Sequence, residues 1–294
     1  MTKHFYIVDV FAEQPYSGNP LAVVVCDKVL AESKMQDIAA EMNFSETTFV
    51  LSKLQKNEGY NIRIYTPSRE IEFAGHPLLG TAHVIRKYVN HNSEDEIKLN
   101  LMQTQVSVSF ESNKENKEIA WFKAPPIISG ETIAPDSIAQ VLGISCDDID
   151  NKTPIQIMSA GTSAIIVPLK SLGVLQKSKF DIHKFSPLLE KGYPPLIYLF
   201  TAQTHDENSD FSVRFFFEAH GVREDPATGN GAAFFASYLL EHKYYSSANF
   251  SIRIEQGHEV RRPSLIMVRA KLENDSRDIR VGGSIANTVT GELL

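Results

Sequence analysis

The sequence predicts an α+β protein in two pseudo-symmetric domains, each a curled mixed or antiparallel sheet around a central helix. Three observations carry that prediction. Short β-branched and aromatic runs follow one another by hairpin-compatible connections, so the regular βαβ rhythm of a parallel sheet is not evident. A Glu, a Gly-containing turn and a helix recur in that order, as EFAGHPLLGTA and again as EDPATGNGAAF, about half the chain apart. From Gly231 to Leu240 eight of ten residues are apolar, and a helix apolar around its whole circumference must be buried on every side.

The elements follow in order. FYIVDVF and LAVVVC read as strands joined by the turn-rich EQPYSGNP. Leu30 to Asn43 reads as an amphipathic helix, with Met35, Ile38, Ala39 and Met42 at helical spacing. FSETTFVLS and NIRIYTP are strand-like, the latter stopped by Pro67. HPLLGTAHVIRKYVN keeps Leu78, Ala82, Ile85 and Val89 on one helical face, and Pro77 suits its first turn. VSVSF and IAWFKAP continue the strands. PDSIAQVLG is a short helix with Asp136 as its cap and Gly143 as its stop. PIQIMSAGTSAIIVPL reads as a hairpin, DIHKFSPLLEKG as a helix, and PPLIYLFTA and FSVRFFF as strands. After the apolar helix, FSIRIEQG, SLIMVRAKL and DIRVGGSIANTVTGEL complete three more strands. The polar, proline-containing stretch 111–135 is the best boundary between the halves.

Composition sets limits. The chain has 294 residues, 43% of them hydrophobic and 22% charged. That length suits about two domains, and the composition is that of an ordinary globular protein. The net charge of −7 argues against a nucleic-acid or anionic-lipid coat, since Arg261-Arg262 is no basic stripe. No apolar stretch approaches a membrane span, and the N-terminal segment lacks a signal-peptide core, so a cytoplasmic protein is expected. Cys26 and Cys146 cannot build a disulfide framework, and Cys26, ending an apolar run, reads as a buried small hydrophobe. The nine histidines show no HxH or HExxH spacing, and no metal site is legible.

Three polar residues stand out. Glu46, in F-S-E-T-T-F-V, shares a strand face with Phe44, Thr48 and Val50 on a period of two. A carboxylate so placed is either a desolvated proton carrier or a solvent-facing residue at a strand start. His76 opens the first central helix, where free amides can hold an anion and imidazole can move a proton; a plain capping role fits equally. Asp225 precedes Pro226 and the second helix, as a turn or cap residue or as a third polar group of a site. Two glycine turns facing each other would gather all three around one small acid.

These residues sit in peptides that resemble the PhzF-like isomerases of phenazine biosynthesis, within the diaminopimelate-epimerase-like superfamily. The matching segments are VDVFAEQPYSGNPLAVV, NFSETTFV, IRIYTPSREIEFAGHPLLGTA, WFKAP, EDPATGNGAAF, IEQG with RRPS, and VGGSI. The resemblance implies two epimerase-like domains with the active site between them and a last strand returning to the first. The expected division is residues 1–118 plus 283–294, and residues 119–282. It also implies catalytic roles for Glu46, His76 and Asp225, with Glu46 shuttling a proton between carbons of an unsaturated carboxylic acid. Asn19, Ser45, Gly75, Gly229 and Asn230 are the implied substrate contacts. No cofactor is expected, and the expected partners are a small carboxylic acid and a second copy of the chain.

Departures narrow the chemistry. The superfamily's epimerases carry two turn cysteines where this chain has Ala74 and Thr228, which excludes two-thiol racemisation. Asn230 stands where the family often has Ser, and Arg261 where Gly usually precedes the RPS peptide. A non-catalytic metabolite-binding or interaction module on the same fold is the competing expectation, and the Asn230 substitution is what favours it.

Overall fold

The structure, a computed structural model, describes residues 3–293 apart from 27, 29, 52–58, 92–93, 114–115, 218–223 and 275. Ser52, the last residue of the FSETTFVLS run, lies outside the described residues. The chain divides into two units, Met1–Lys123 with Gly282–Leu294, and Ala124–Val281.

The first unit is built from β1 (Lys3–Val10), β2 (Asn19–Val25), α1 (Glu32–Met42), β3 (Thr47–Val50), β4 (Tyr60–Tyr65), β5 (Glu70–Ile71), α2 (Gly75–Val84), β6 (Glu96–Asn100), β7 (Gln105–Ser112) and β8 (Glu118–Lys123). A π-type turn, Ile85–Val89, prolongs α2. Strands β1 and β2 form an antiparallel hairpin, β2 and β3 are parallel across α1, and β3 and β4 are antiparallel. The short β5 folds back on β4, α2 follows, and β6 then pairs parallel with β4 before β7 and β8 continue antiparallel. Helix α2 touches β1, β2, β3, β6, β7 and β8, so the sheet curls around it. All ten of its residues are buried. A Cβ at Gly80 would lie 2.6 Å from Leu21 Cδ2 and 2.9 Å from Val10 Cγ2, so glycine is what allows helix and hairpin to pack this closely. On the outer face, Met35, Ile38 and Ala39 of α1 cover Val24, Phe49 and Tyr65.

The second unit runs β9 (Ile128–Ile133), α3 (Pro135–Leu142), β10 (Ile155–Ala160), β11 (Thr162–Pro168), α4 (Leu172–Lys177), α5 (Ile182–Glu190), β12 (Ile197–Thr201), β13 (Phe211–Phe216), β14 (Glu224–Asp225), α6 (Gly229–Glu241), β15 (Asn249–Gln256), β16 (Ser264–Glu273) and β17 (Ser276–Gly283). Its pairing repeats the first unit step for step. An antiparallel hairpin, β10–β11, leads to a parallel partner, β12, across helices. Then β13 is antiparallel to β12, two-residue β14 folds back on β13, and after α6 strand β15 pairs parallel with β13. Eleven of the thirteen residues of α6 are buried, as the apolar circumference requires. Ile138, Leu142, Phe185 and Leu188 of α3 and α5 cover Ile165, Val167, Ile197 and Leu199 on the outer face. The chain then closes with β18 (Ile285–Leu293), antiparallel to β1.

Several local expectations are corrected. The terminal DIRVGGSIANTVTGEL run is two strands broken at Ser284. Asp136 lies in the first turn of α3; the cap position is Ala134, with Pro135 opening the helix. Strand β9 escapes a period-two reading because four of its residues are exposed. Helix α4 is too short to show helical periodicity. No helix among the described residues is long and apolar enough to cross a membrane.

Candidate active site

In the first unit three elements bring polar side chains to one end of the sheet. Strands β2 and β3 are parallel, with Ala22 opposite Thr47, so the residues at their starts, Asn19 and Glu46, share an edge. Asn19 is held there by a tight loop. Gly18 has φ +66°, and a Cβ on it would stand 2.3 Å from Val10 O. Buried Asp9 accepts the Tyr16 amide at 2.7 Å, fixing the other side of the loop. Thr48 and Thr81 share a buried hydroxyl hydrogen bond of 2.8 Å, which ties β3 to α2.

Glu46 is not inside the strand. Strand β3 begins at Thr47, and Phe44 and Ser45 form the bend before it, so the period-two face proposed from the sequence does not exist. The carboxylate is nonetheless largely withdrawn from water, its side chain 14% exposed, and its Oε2 lies 3.4 Å from Nε2 of buried His76. On the other side of the imidazole, Asn19 Nδ2 stands 3.4 Å from Nδ1. With the Asn19 amide donating, Nδ1 accepts and the ring proton resides on Nε2, facing Glu46. Burial pushes the His76 pKa down to about 3, because desolvation penalises the imidazolium. The imidazole is therefore neutral, and it presents Nε2–H toward the Glu46 carboxylate at 3.4 Å without the alignment of a hydrogen bond.

Helix α2 begins at Gly75, and its preceding residue, Ala74, makes no side-chain cap. Gly75 and His76 thus occupy the first two positions, where backbone amides have no intrahelical acceptor. Ser45 sits half-buried beside Glu46. Asn19, Ser45, Glu46, Gly75 and His76 accordingly belong to one locality of the first unit.

Asp225, Gly229 and Asn230 form the corresponding locality of the second. Asp225 is buried in β14, three residues before Thr228, the residue that immediately precedes α6. The Thr228 hydroxyl donates to Asp225 Oδ2, which turns the carboxylate back along the turn. Gly229 is buried and Asn230 half-buried at the helix start.

A residue the sequence reading passed over holds this turn together. Fully buried Gln256 donates to the Asp225 carbonyl at 2.7 Å and to Thr228 Oγ1 at 3.1 Å, and accepts the Thr228 amide at 3.1 Å. Ser264 donates to Pro226 O at 2.9 Å. At Gly257, φ is +82° and a Cβ would lie 2.5 Å from Pro226 O. IEQG and the serine of RRPS are thus the mould for the EDPATG turn. The signal available was that IEQG and RRPS stand, like EDPATG, among the peptides that resemble the family. Arg261, in the same segment, has φ +58°, a left-handed conformation that glycine adopts more readily than a residue with a side chain.

The arrangement is a carboxylate beside a neutral imidazole with helix-start amides close in sequence. It offers a proton acceptor and donor together with anion-binding groups. The curled sheet around a buried helix, occurring twice, is the architecture of the epimerase-like isomerases. A probable proline racemase from Agrobacterium radiobacter shares this fold, with a TM-score of 0.62 at 11% identity over 99% of this chain and 93% of that one. A PhzF-family phenazine biosynthesis protein from Bacillus anthracis has a TM-score of 0.89 at 24% identity, covering 100% of this chain and 99% of that one. The family model described as phenazine biosynthesis-like protein matches residues 8–291. A trans-2,3-dihydro-3-hydroxyanthranilate isomerase from Pseudomonas chlororaphis is 34% identical over 91% of this chain and 90% of its own length. The chain belongs to the phenazine biosynthesis-like, PhzC-PhzF, family, and it is an isomerase.

Proposed function

We propose that this isomerase moves a proton between two carbons of a small unsaturated carboxylic acid, with Glu46 as the group that takes and returns it. The observation that carries the reading is the Glu46–His76–Asn19 chain. Its buried neutral imidazole directs Nε2–H at a carboxylate that is itself mostly shielded from water. A carboxylate positioned in this way can abstract a proton from an activated carbon and deliver it to a neighbouring one of the same bound molecule. His76 faces Glu46 with its ring N–H and steadies the substrate's polar groups.

The reading extends to the second unit. Asp225 and the Gly229–Asn230 helix start are assigned to the same substrate, Asp225 orienting it and the amides holding its carboxylate. Neither cysteine stands at the turns before α2 and α6: Cys26 is buried beneath α1 and Cys146 is exposed beside Asp136. Proton transfer therefore rests on oxygen and nitrogen groups.

The relative from Pseudomonas chlororaphis supplies the first test substrate by its name. Incubation with trans-2,3-dihydro-3-hydroxyanthranilate and with a panel of simpler dienoic and β,γ-unsaturated acids, followed by ultraviolet absorbance and mass-resolved chromatography, checks the reading. Isomerisation of at least one such acid, lost in Glu46→Gln, is the expected result. Ligand-induced thermal stabilisation across the panel with no turnover of any member would instead establish a binding module.

A further inference from the structure

Among the described residues one group of metal-ligating side chains lies outside the chemistry above. His205, in the connection between β12 and β13, meets Glu255 at the end of β15 and His258 in the turn that follows, with one ligand atom from each within 4.8 Å of the others. The two imidazoles are stacked, centroids 4.0 Å apart. His258 Nε2 lies 4.0 Å from Glu255 Oε2, and His205 Nε2 lies 4.0 Å from Glu259 Oε1. Spacing along the chain conceals the group, because its members come from segments about fifty residues apart in sequence.

The carboxylate is held in place from behind. Glu255 is buried; the His205 amide and the Ser212 hydroxyl donate to Oε1, and the Asp206 amide donates to Oε2 at 3.2 Å. Backbone donors of this kind orient a carboxylate and leave its remaining lone pairs for a cation. The charge balance also favours one. Arg214 lies 3.9 Å from Glu259 but is bonded to Glu224 at 2.7 Å and 3.0 Å, so the cation there already has its own carboxylate.

From this we infer that His205, Glu255, His258 and Glu259 form a binding site for a divalent transition-metal ion, zinc being the best match to two imidazoles and two carboxylates. Tetrahedral zinc with bonds of about 2.0–2.2 Å places its ligands roughly 3.3–3.5 Å apart. The two 4.0 Å pairs, His258 with Glu255 and His205 with Glu259, must close by about 0.5–0.7 Å, the wider separations within the group, up to 4.8 Å, by up to about 1.5 Å, and the stacked rings must tilt until their lone pairs converge. Both rings have room, their side chains being 27% and 31% exposed. Such an ion would clasp the His205 connection to the Glu255–Glu259 turn. Through Gln256 and Gly257 it would stiffen the mould that shapes the Asp225 turn.

The test is a zinc titration of chelator-stripped full-length protein carrying Cys146→Ser, which removes the exposed thiol as a rival ligand. Isothermal calorimetry should give one equivalent with micromolar or tighter affinity. Cobalt(II) should develop the visible bands of a tetrahedral site, and saturating zinc should raise Tm by about 3 °C or more. His205→Ala and His258→Ala should each weaken binding at least about tenfold, while His183→Ala, on the exposed face of α5, should not. Folding of each variant is checked by circular dichroism, with His→Gln replacements used where alanine unfolds the protein. Absence of saturable zinc binding by the Cys146→Ser protein up to about 1 mM overturns the inference. So does tight binding that persists in both histidine variants.

Discussion

Asn19 and Glu46 touch opposite nitrogens of His76, 3.4 Å on each side, so one buried ring relays the orientation of an amide to a carboxylate. The parallel pairing of β2 with β3 sets both outer members, and the start of α2 sets the ring. The tautomer of His76 is therefore a property of the fold, and it can be reversed by changing one residue of the chain.

Asn19→Asp makes that reversal. An aspartate accepts where the amide donated, draws the ring proton to Nδ1 and turns the Nε2 lone pair toward the Glu46 carboxylate. We expect kcat to fall about 10- to 100-fold with a smaller change in KM, on the scale of a lost orienting hydrogen bond in a buried site. Nitrogen-15 shifts of the imidazole report the tautomer directly. An unchanged tautomer with lowered kcat would show that Asn19 acts on the substrate instead.

His76 also makes stability depend on pH in a definite direction. Its folded pKa, about 3, lies below the unfolded value of roughly 6.5. Between these limits the unfolded chain binds a proton that the folded chain refuses, so stability rises with pH across that window. Its contribution is complete above about pH 6.5 and is lost at up to about 1.4 kcal/mol per pH unit as pH falls toward 3. Denaturant titrations at pH 4–7 should give a shallower slope for His76→Gln than for the native chain. Over pH 5–8, the His76 ring signals should not titrate.

Gln256 provides the test of the Asp225 turn. Gln256→Ala removes three hydrogen bonds from a fully buried position and leaves the Asp225 carbonyl and Thr228 amide without those partners. A loss of about 2–4 kcal/mol in unfolding free energy is expected. At temperatures where the variant remains folded, turnover should fall further than for a core substitution of equal destabilisation, Ile165→Ala for example. Equal loss of turnover would reduce Gln256 to a purely structural part.

Arg261 is a site where stability can be gained. Its φ of +58° disfavours a side chain, and Arg261→Gly should stabilise the protein by about 0.5–1 kcal/mol, or raise Tm by about 1–4 °C. Chemical denaturation of the pair measures this. Activity should not change.

The sequence made some of this legible and hid the rest, for physical reasons. Helix α6 was readable because an all-apolar circumference leaves burial as the only solution, and α2 because Leu78 and Ala82 keep helical spacing behind Pro77. The turns before them were readable because glycine, proline and acidic residues cluster there. Glu46 stood out as a charge in an apolar run, although the strand starts one residue after it. Asn19 entered only through family likeness, since the loop that aims it depends on Val10 and Asp9 of the preceding strand. Gln256 and Ser264 were invisible as scaffolding because the groups they hold lie 28 to 38 residues away. The His205–Glu255–His258 group was hidden in the same way, by contacts between segments with no common motif.

The most direct measurement is solvent deuterium incorporation. Native protein and Glu46→Gln, matched for Tm, are incubated in deuterated water with an acid that the native protein isomerises, and carbon-bound deuterium is read by mass spectrometry. The account predicts labelling of product or recovered substrate by the native protein, and a rate lower by about 10²–10⁴ in the variant. Equal labelling by both would contradict the assignment of Glu46 as the proton carrier.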